Sequence, residues 1–387
     1  MNPNNLYIER KIEPVIRRGM NKGKVIILYG ARRTGKTTLI KHLFEQDGQE
    51  YLYLSCEQQR IREQVIPDEL ALKTIIGNYK NIVFDEAAYL ENPGLVLKVL
   101  IDSFPALNII ASGSSSFELA GKVQEPLTGR HFQYFLFPLS WQEIAVFSSP
   151  LNLSFSIEQV FRFGSYPEVF KYTEENEKIN YLQLLTEDYL YKDILAFNKV
   201  KQSRKLRELL VALSLQIGQE VSYSELANTI SIDRKTIEYF IDLLEKTFVI
   251  FRLYGFSRNL RSEINRKVKI YFYDLGVRNA LINNFNTLNL RSDQGALFEN
   301  FVIAEMVKQN SNKLYKSNFY FWRTYDQKEI DIIEEKSGNL FGYECKYSDS
   351  KGISEATKSV FQKAYPRSSI EIINPKTLHK LFGEEKD

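Results

Sequence analysis

The stretch Lys24 to Thr37, KVIILYGARRTGKT, constrains this chain more than any other. A short apolar run ends in Gly30, a glycine-bearing turn follows, and Leu39, Ile40, Leu43 and Phe44 then recur at helical spacing. Strand, turn and helix in that order set Gly30-Ala31-Arg32-Arg33-Thr34-Gly35-Lys36-Thr37, a G-x-x-x-x-G-K-[ST] pattern, at a helix N-terminus. Unpaired amides and the helix dipole favour an anion there, and glycine lets the backbone come close to a phosphate. The backbone of Gly30, Arg33, Thr34, Gly35, Lys36, Thr37 and Thr38 is expected to wrap a nucleotide's phosphates. Lys36 would reach the β- and γ-phosphates and Thr37 would join a Mg²⁺ shell. The side chains of Arg32 and Arg33 are expected to face solvent or a partner.

Such a loop predicts an acidic residue at the end of a neighbouring strand, and Ile82-Val83-Phe84-Asp85-Glu86 supplies two. Asp85 would hold Mg²⁺ through water, and Glu86 would polarise the attacking water. Further apolar runs at Tyr51 to Leu54 and Leu107 to Ala111 alternate with helical stretches, the pattern of a parallel α/β sheet. Pro138 and Pro150 bracket its last segment, so the sheet is expected to end near residue 150.

At 387 residues the chain has room for two or three domains. A net charge of +3 rules out attachment to nucleic acid by bulk charge alone, so any basic patch is local. Cys56 and Cys345 are too few for a disulfide framework or a four-ligand zinc site, which fits a reducing cytosol. The N-terminus is charged throughout, and no apolar run reaches the roughly 18 to 20 residues of a membrane span, so a soluble, cytoplasmic protein is expected. The abundant Phe and Tyr are read as core packing, and the three histidines as incidental.

To this point the pattern resembles the AAA-type ATPases, which implies ATP and Mg²⁺ as cofactors. The resemblance extends to a polar residue ending the next strand, Ser112 or Ser114 in IIASGSSS, matching their sensor. Arg130 in LTGRHFQYF resembles an arginine that touches the γ-phosphate of its own or a neighbouring subunit's site, and so leaves room for an oligomer. The whole order resembles a large prokaryotic family in which an AAA-type ATPase is fused to a C-terminal domain of unknown function. Its features stand here as GARRTGKTT, IVFDEA, SGSSS, LTGR with PLSWQE, GSYPEVF, YFYDLGVRNAL, GALFENFV and EIDII with YECK.

Beyond a helical linker or lid at 151–203, with Leu182 to Ile194 helical, residues 204–260 have the shape of a winged helix-turn-helix. One helix runs from Arg204 to about Gly218, SYSELANTI and Arg234 to Lys246 follow, and Phe248 to Leu253 would form the wing. Arg234, Lys235, Thr236 and Tyr239 fall on the first turns of the candidate recognition helix. Between Lys201 and Lys269 there are 13 basic and 8 acidic residues, net +5, and Arg258, Arg261, Arg266, Lys267 and Lys269 extend the patch, so DNA is the expected partner. A lid or protein-docking module is the alternative.

Residues 261–387 read as a separate α/β domain. Glu344 and Lys346 share a face of one strand, Asp331 lies on the preceding strand, and Glu299 sits awkwardly beside the apolar stripe Phe298, Phe301 and Val302. This E, D, E-x-K order resembles the PD-(D/E)XK nuclease superfamily. It implies Glu299, Asp331 and Glu344 as Mg²⁺ ligands and Lys346 as the residue that orients or activates water. Ile330 stands where the eponymous Pro would be, and Glu-x-Lys recurs at Glu9, Glu334 and Glu384, so strand context alone selects Glu344. The expected fold class is thus α/β: a P-loop NTPase parallel sheet at 1–150, the winged helix-turn-helix, and a restriction-endonuclease-like α/β domain.

Overall fold

The computed structural model describes residues 7–114, 127–147, 153–189, 203–257, 267–311, 313, 316–348 and 352–383. The chain divides into two compact units, 1–139 with 246–248, and 140–245 with 249–387.

The first unit runs α1 (Glu13–Gly19), β1 (Val25–Tyr29), α2 (Lys36–Glu45), β2 (Leu52–Ser55), α3 (Gln59–Gln64), α4 (Glu69–Ile76), β3 (Asn81–Asp85), α5 (Pro93–Ser103), β4 (Asn108–Gly113) and β5 (His131–Phe135). Its sheet has the order β2-β3-β4-β1-β5 and every pairing is parallel. The α/β crossovers cover both faces, so the central strands are apolar without alternation, and all five residues of β1 are buried. Ile16, Leu39, Ile40 and Phe44 from α1 and α2 pack on Leu28, Val83 and Ile110 of the sheet. Because β3, β4 and β1 are neighbours, the turns at their carboxyl ends meet. Gly30 closes β1 so tightly against the chain after β5 that a Cβ would lie 2.1 Å from the Leu136 carbonyl oxygen.

The second unit runs α6 (Trp141–Phe147), α7 (Leu153–Phe163), α8 (Glu175–Leu184), α9 (Ser203–Leu215), β6 (Glu220–Val221), α10 (Tyr223–Ile230), α11 (Arg234–Lys246), β7 (Ile250–Gly255), β8 (Val268–Phe272), α12 (Leu275–Leu281) and α13 (Gln294–Ser311). It continues with β9 (Asn318–Arg323), β10 (Glu329–Lys336), β11 (Asn339–Cys345), α14 (Glu355–Ala364), β12 (Ser368–Ile373) and α15 (Leu378–Phe382). One sheet holds all seven strands, in the order β12-β11-β10-β9-β7-β8-β6. The strand expected as a free wing, β7, pairs antiparallel with β8 and parallel with β9. The boundaries expected at 203/204 and 260/261 therefore fall inside one unit. The expected helix from Leu182 to Ile194 ends as α8 at Leu184 and a π-turn to Tyr189, and residues 190–194 lie outside the described set. Among the described residues no helix is long and apolar enough to cross a membrane.

Two of the recurring motifs turn out to be one lock. Asp274 caps α12 by accepting from the Val277 amide at 2.9 Å, and its other oxygen accepts from the Ser165 amide at 2.6 Å. Gly164, at φ 72°, leaves room for that carboxylate, which would stand 2.2 Å from a Cβ. Asn279 donates to the carbonyls of Phe161 and Arg162, and Gly276 lies against the carbonyl of Phe163, 2.2 Å from where a Cβ would be. Next to the lock, Arg278 and Arg291 both bind Asp293. Burial alone would raise the Asp293 carboxyl, but the two guanidiniums outweigh it and hold it down at about 2.

Gly276→Ala should therefore destabilise the protein by about 1–3 kcal/mol, as overpacking does. Gly295→Ala, with nothing within 4 Å of its Cβ position, should not lower stability; denaturant unfolding followed by circular dichroism compares the two. Because Asp293 is depressed, its contribution is present above the ordinary carboxyl value of 3.8 and is lost as pH falls towards about 2. The stability gap between wild type and Asp293→Asn should accordingly shrink over that interval, read by the same unfolding measured at a series of pH values.

Candidate functional site

The turn between β1 and α2 has the backbone that its sequence demands. Gly35, at φ 94°, caps α2 in the left-handed region, and Arg33 adopts φ 63° with its side chain exposed. Thr34 is buried, its hydroxyl donating to the Ala31 carbonyl at 2.8 Å, and Thr38 is exposed on the first turn of α2. Lys36 Nζ folds back on the turn, donating to the carbonyls of Gly30 at 2.8 Å and Ala31 at 3.1 Å, with Glu86 Oε1 at 3.8 Å. Arg10, before α1, braces the turn from behind, with bonds to the carbonyls of Thr34 at 2.8 Å and Phe137 at 2.6 Å. Arg32 binds the Tyr89 hydroxyl at 3.3 Å.

The parallel register sets Phe84 of β3 opposite Ala111 of β4, which brings Asp85 beside Ser112. Asp85 Oδ2 accepts from the Thr37 hydroxyl at 2.9 Å and from the Tyr53 hydroxyl, and its Oδ1 accepts from Ser112. The Ser112 oxygen also accepts from the Glu86 amide at 3.0 Å, and Glu86 Oε2 accepts from the Ser114 amide at 3.0 Å. Glu86 itself sits at φ 52°. The structure thus brings Lys36, Thr37, Asp85, Glu86, Ser112 and Ser114 together. The Ser112 hydroxyl and the Ser114 backbone amide both engage the two acids.

Asp85 is buried, yet among the described residues no Lys or Arg ion-pairs with it; three hydroxyls meet it instead. A buried carboxylate without a countercharge is poised for a cation, and a hydroxyl beside a carboxylate is the hard-oxygen set that suits Mg²⁺. Tyr53 and Arg10 are the participants that the motif reading missed. The only signal was a tyrosine and an arginine facing otherwise apolar packing.

Arg130 stands away from its own chain's phosphate turn. Its carbonyl accepts from the Val25 amide and the next residue, His131, is in register with Val25, so Arg130 stands at the amino end of β1. The phosphate turn leaves the carboxyl end, five residues on, roughly 16 Å away at strand rise. Arg130 is exposed and pairs with Asp102 at 2.9 Å.

In the second unit α9, α10 and α11 are helices within 204–260, β7 follows them, and Ser222 and Asp233 cap α10 and α11. Arg234 pairs with Glu238, Lys235 and Tyr239 are exposed, and Thr236 is held by Asp233. Of the basic extension, Lys267 pairs with Glu220 at 2.8 Å and Lys269 is buried, while Arg258, Arg261 and Arg266 lie outside the described residues.

The carboxylates further on lie near one another. Glu299 Oε1 accepts from Lys269 Nζ at 3.0 Å and from the Tyr271 hydroxyl at 2.5 Å, and Lys269 also meets Glu329 at 2.5 Å. Glu299 Oε1 is thus paired with a lysine and a tyrosine. Asp331 Oδ2 accepts from the Cys345 amide at 2.8 Å; burial, then Glu299 and Glu344, push its carboxyl well above the usual range. Glu344 Oε1 accepts from Lys346 Nζ at 2.7 Å, and Glu344 Oε2 is buried without a hydrogen-bond partner. Burial alone would lower the Lys346 ammonium, but Glu344 outweighs it and raises it. Among the described residues no group of three or more His, Cys, Asp or Glu side chains is arranged to hold a metal ion. Lys269 was legible after the fact, as one charge in the otherwise apolar, fully buried strand VKIYF.

Residues 22–145 match the family described as AAA domain. Two families described as domains of unknown function match the rest, DUF8612 over 154–288 and DUF4143 over 294–377. The first unit is thus similar over most of its length to AAA-type P-loop domains. An uncharacterised protein of Mycobacterium tuberculosis is 26% identical over 359 residues, covering 92% of this chain and 77% of its own. One from Methanocaldococcus jannaschii is 26% identical over 345 residues, 80% of this chain and 74% of its own. Among solved structures, a Walker-type ATPase of Pyrococcus abyssi aligns with TM-score 0.47 at 17% identity, over 71% of this chain and 96% of that one.

Cys56 follows β2 and is sealed beside the two acids. Burial first, then Asp85 and Glu86, push its thiol up to about 12, and burial pushes Cys345 well above the ordinary thiol value. Both should stay protonated at pH 8 and react with a disulfide reagent at least tenfold more slowly than in the denatured chain. A colorimetric thiol titration with and without guanidinium checks this.

Proposed function

We propose that this protein binds and hydrolyses ATP with Mg²⁺, and that its nucleotide state governs a DNA-facing winged helix and the carboxylate-bearing C-terminal segment. The observation that carries the first part is Asp85, a buried carboxylate met only by hydroxyls, one of them Thr37 at the start of the phosphate-binding helix. Amides from Arg33 to Thr38 would hold the phosphates, and Lys36 would exchange the Gly30 and Ala31 carbonyls for phosphate oxygens. Thr37 and Asp85 would hold Mg²⁺, which when bound offsets charge on the phosphates. Glu86 would take the proton of the attacking water, with Ser112 and Tyr53 fixing Asp85 and the Ser114 amide fixing the Glu86 carboxylate. These neutral donors would keep the two carboxylates oriented while leaving their charge intact.

The DNA-facing part is supported by the helix-strand-helix-helix-strand-strand order and by exposed Arg234, Lys235 and Tyr239. In the nuclease-like reading Asp331 and Glu344 hold one Mg²⁺ and Lys346 orients water; the partnerless Glu344 Oε2 fits such an ion. A second reading, a nucleotide-gated switch or scaffold for a protein partner or promoter without cleavage, is favoured by the internal pairing of Glu299 with Lys269 and of Glu344 with Lys346.

Lys36→Ala should abolish ATP binding, whereas Glu86→Gln should bind ATP and lose about 10²- to 10⁴-fold in turnover. Arg130→Ala should leave nucleotide affinity unchanged. Mg²⁺-dependent phosphate release and fluorescent-nucleotide binding, each with and without duplex DNA, check these. Normal turnover in Lys36→Ala would refute the ATPase reading, and a DNA-independent rate would favour the protein-partner switch.

A further inference from the structure

Arg10 is a second cation behind a phosphate turn that already carries Lys36. Its side chain is buried, and it donates through Nη1 to the Thr34 carbonyl at 2.8 Å and through Nη2 to the Phe137 carbonyl at 2.6 Å. The two carbonyls differ in what stands behind them. Phe137 follows β5, and the residue before it, Leu136, donates from its amide to the Tyr29 carbonyl of β1 at 2.7 Å. The Phe137 ring lies 6.3 Å from that of Phe135 and 6.0 Å from that of Phe248, all three within the first unit. Backbone pairing and aromatic packing thus fix this anchor. Thr34 belongs to the phosphate turn, and its carbonyl shares a peptide plane with the Gly35 amide.

A trans peptide is planar, with its C=O and N–H on opposite edges. Holding the Thr34 carbonyl towards Arg10 therefore aims the Gly35 N–H the other way. Glycine supplies no such preference by itself: at φ 94° Gly35 occupies a region that glycine enters about as readily as the mirror-image one. A hydrogen bond from a charged donor is roughly twice as strong as a neutral one, and it polarises the peptide so that its N–H becomes the better donor. We propose that Arg10 is a positioning residue for phosphate recognition. By tying the Thr34–Gly35 peptide plane to the Phe137 carbonyl, it orients and polarises the Gly35 amide that receives a nucleotide's phosphate, without touching the nucleotide itself. This role rests on the ATP-binding reading. Lys36 meets the phosphate charge directly, whereas Arg10 acts from behind on the dipole of one peptide.

Thr34-Gly35 and Thr128-Gly129 are the two Thr-Gly steps of the sequence. The full chain labelled with ¹³C at Thr carbonyls and ¹⁵N at Gly amides therefore gives two signals in a carbonyl-filtered amide spectrum, and Thr128→Ser identifies the one from Gly129. The probe is ADP with Mg²⁺. In wild type the Gly35 proton should move downfield on binding while Gly129 stays in place. In Arg10→Met that displacement should be lost, and ADP should bind about tenfold more weakly, the size of one charged hydrogen bond. A folded Arg10→Met that keeps the wild-type displacement would overturn the proposal whatever its thermal midpoint, because a brace that only stabilises the fold lowers the midpoint and leaves the amide aimed. If Arg10→Met does not fold, Arg10→Lys decides. It keeps the charge and gives up the planar fork, so a displacement smaller than wild type is expected, and a full one sinks the idea. A wild type that binds ADP with no movement of Gly35 refutes the role of Arg10 alone; one that binds no ADP refutes the ATP-binding reading and this role with it.

Discussion

A carboxylate taken out of water has to be met by something, and what meets it decides what each acidic site of this chain can do. Asp274 is met by two amides and a hydroxyl inside a sealed helix junction, and there it holds α7 to α12. Glu305 is met by Lys308 and the Trp141 amide, and Glu299 by Lys269 and a tyrosine; both are ion pairs closed on themselves. Asp85 alone of these combines burial, three hydroxyls and a place at the mouth of a phosphate-binding turn. Hydroxyls orient a carboxylate without cancelling its charge, so Asp85 is the one poised to attract a metal ion.

The elements that could be read from the sequence are those whose geometry is local. Gly35 has to accept φ 94° and Gly30 has to clear a carbonyl, and both demands are written in the residue itself. The amphipathic spacing of Arg234 to Lys246 placed α11 to the residue, and the apolar runs placed β1, β3 and β4. What could not be read is which strands share a sheet. Phe248 to Leu253 has the composition of a wing, and nothing in it announces that Tyr254 and Gly255 pair with Tyr320 and Phe321 some 66 positions on. Long-range pairing is decided by burial on both faces, and a single strand carries no record of its neighbour.

The same limitation holds at the sites. Arg130 has the chemistry of a phosphate-binding arginine, but a parallel sheet has two ends, and register with Val25 puts this residue at the end away from its own phosphate turn. The partner of Glu299 lies 30 residues away, on a strand that composition marked as core. By contrast GSYPEVF and YFYDLGVRNAL, which carry no chemistry by themselves, are explained once Asp274 is seen against Gly164 and Gly276 against Phe163. A motif can be distinctive because two backbones touch.

Ser112 and Ser114 tie the two acids to the end of β4. One serine hydroxyl holds Asp85 and the Glu86 amide, and two residues later a backbone amide holds the Glu86 carboxylate. The acids proposed to hold the metal ion and to activate water therefore hang from the same short stretch at the end of β4, while Lys36 rests on carbonyls 3.8 Å from Glu86. On that proposal, drawing Lys36 onto a phosphate would take a positive charge away from Glu86, and a displacement of the end of β4 would shift both acids together. Hydrolysis would then be tied to the position of one strand end, a more economical coupling than two independent contacts would provide.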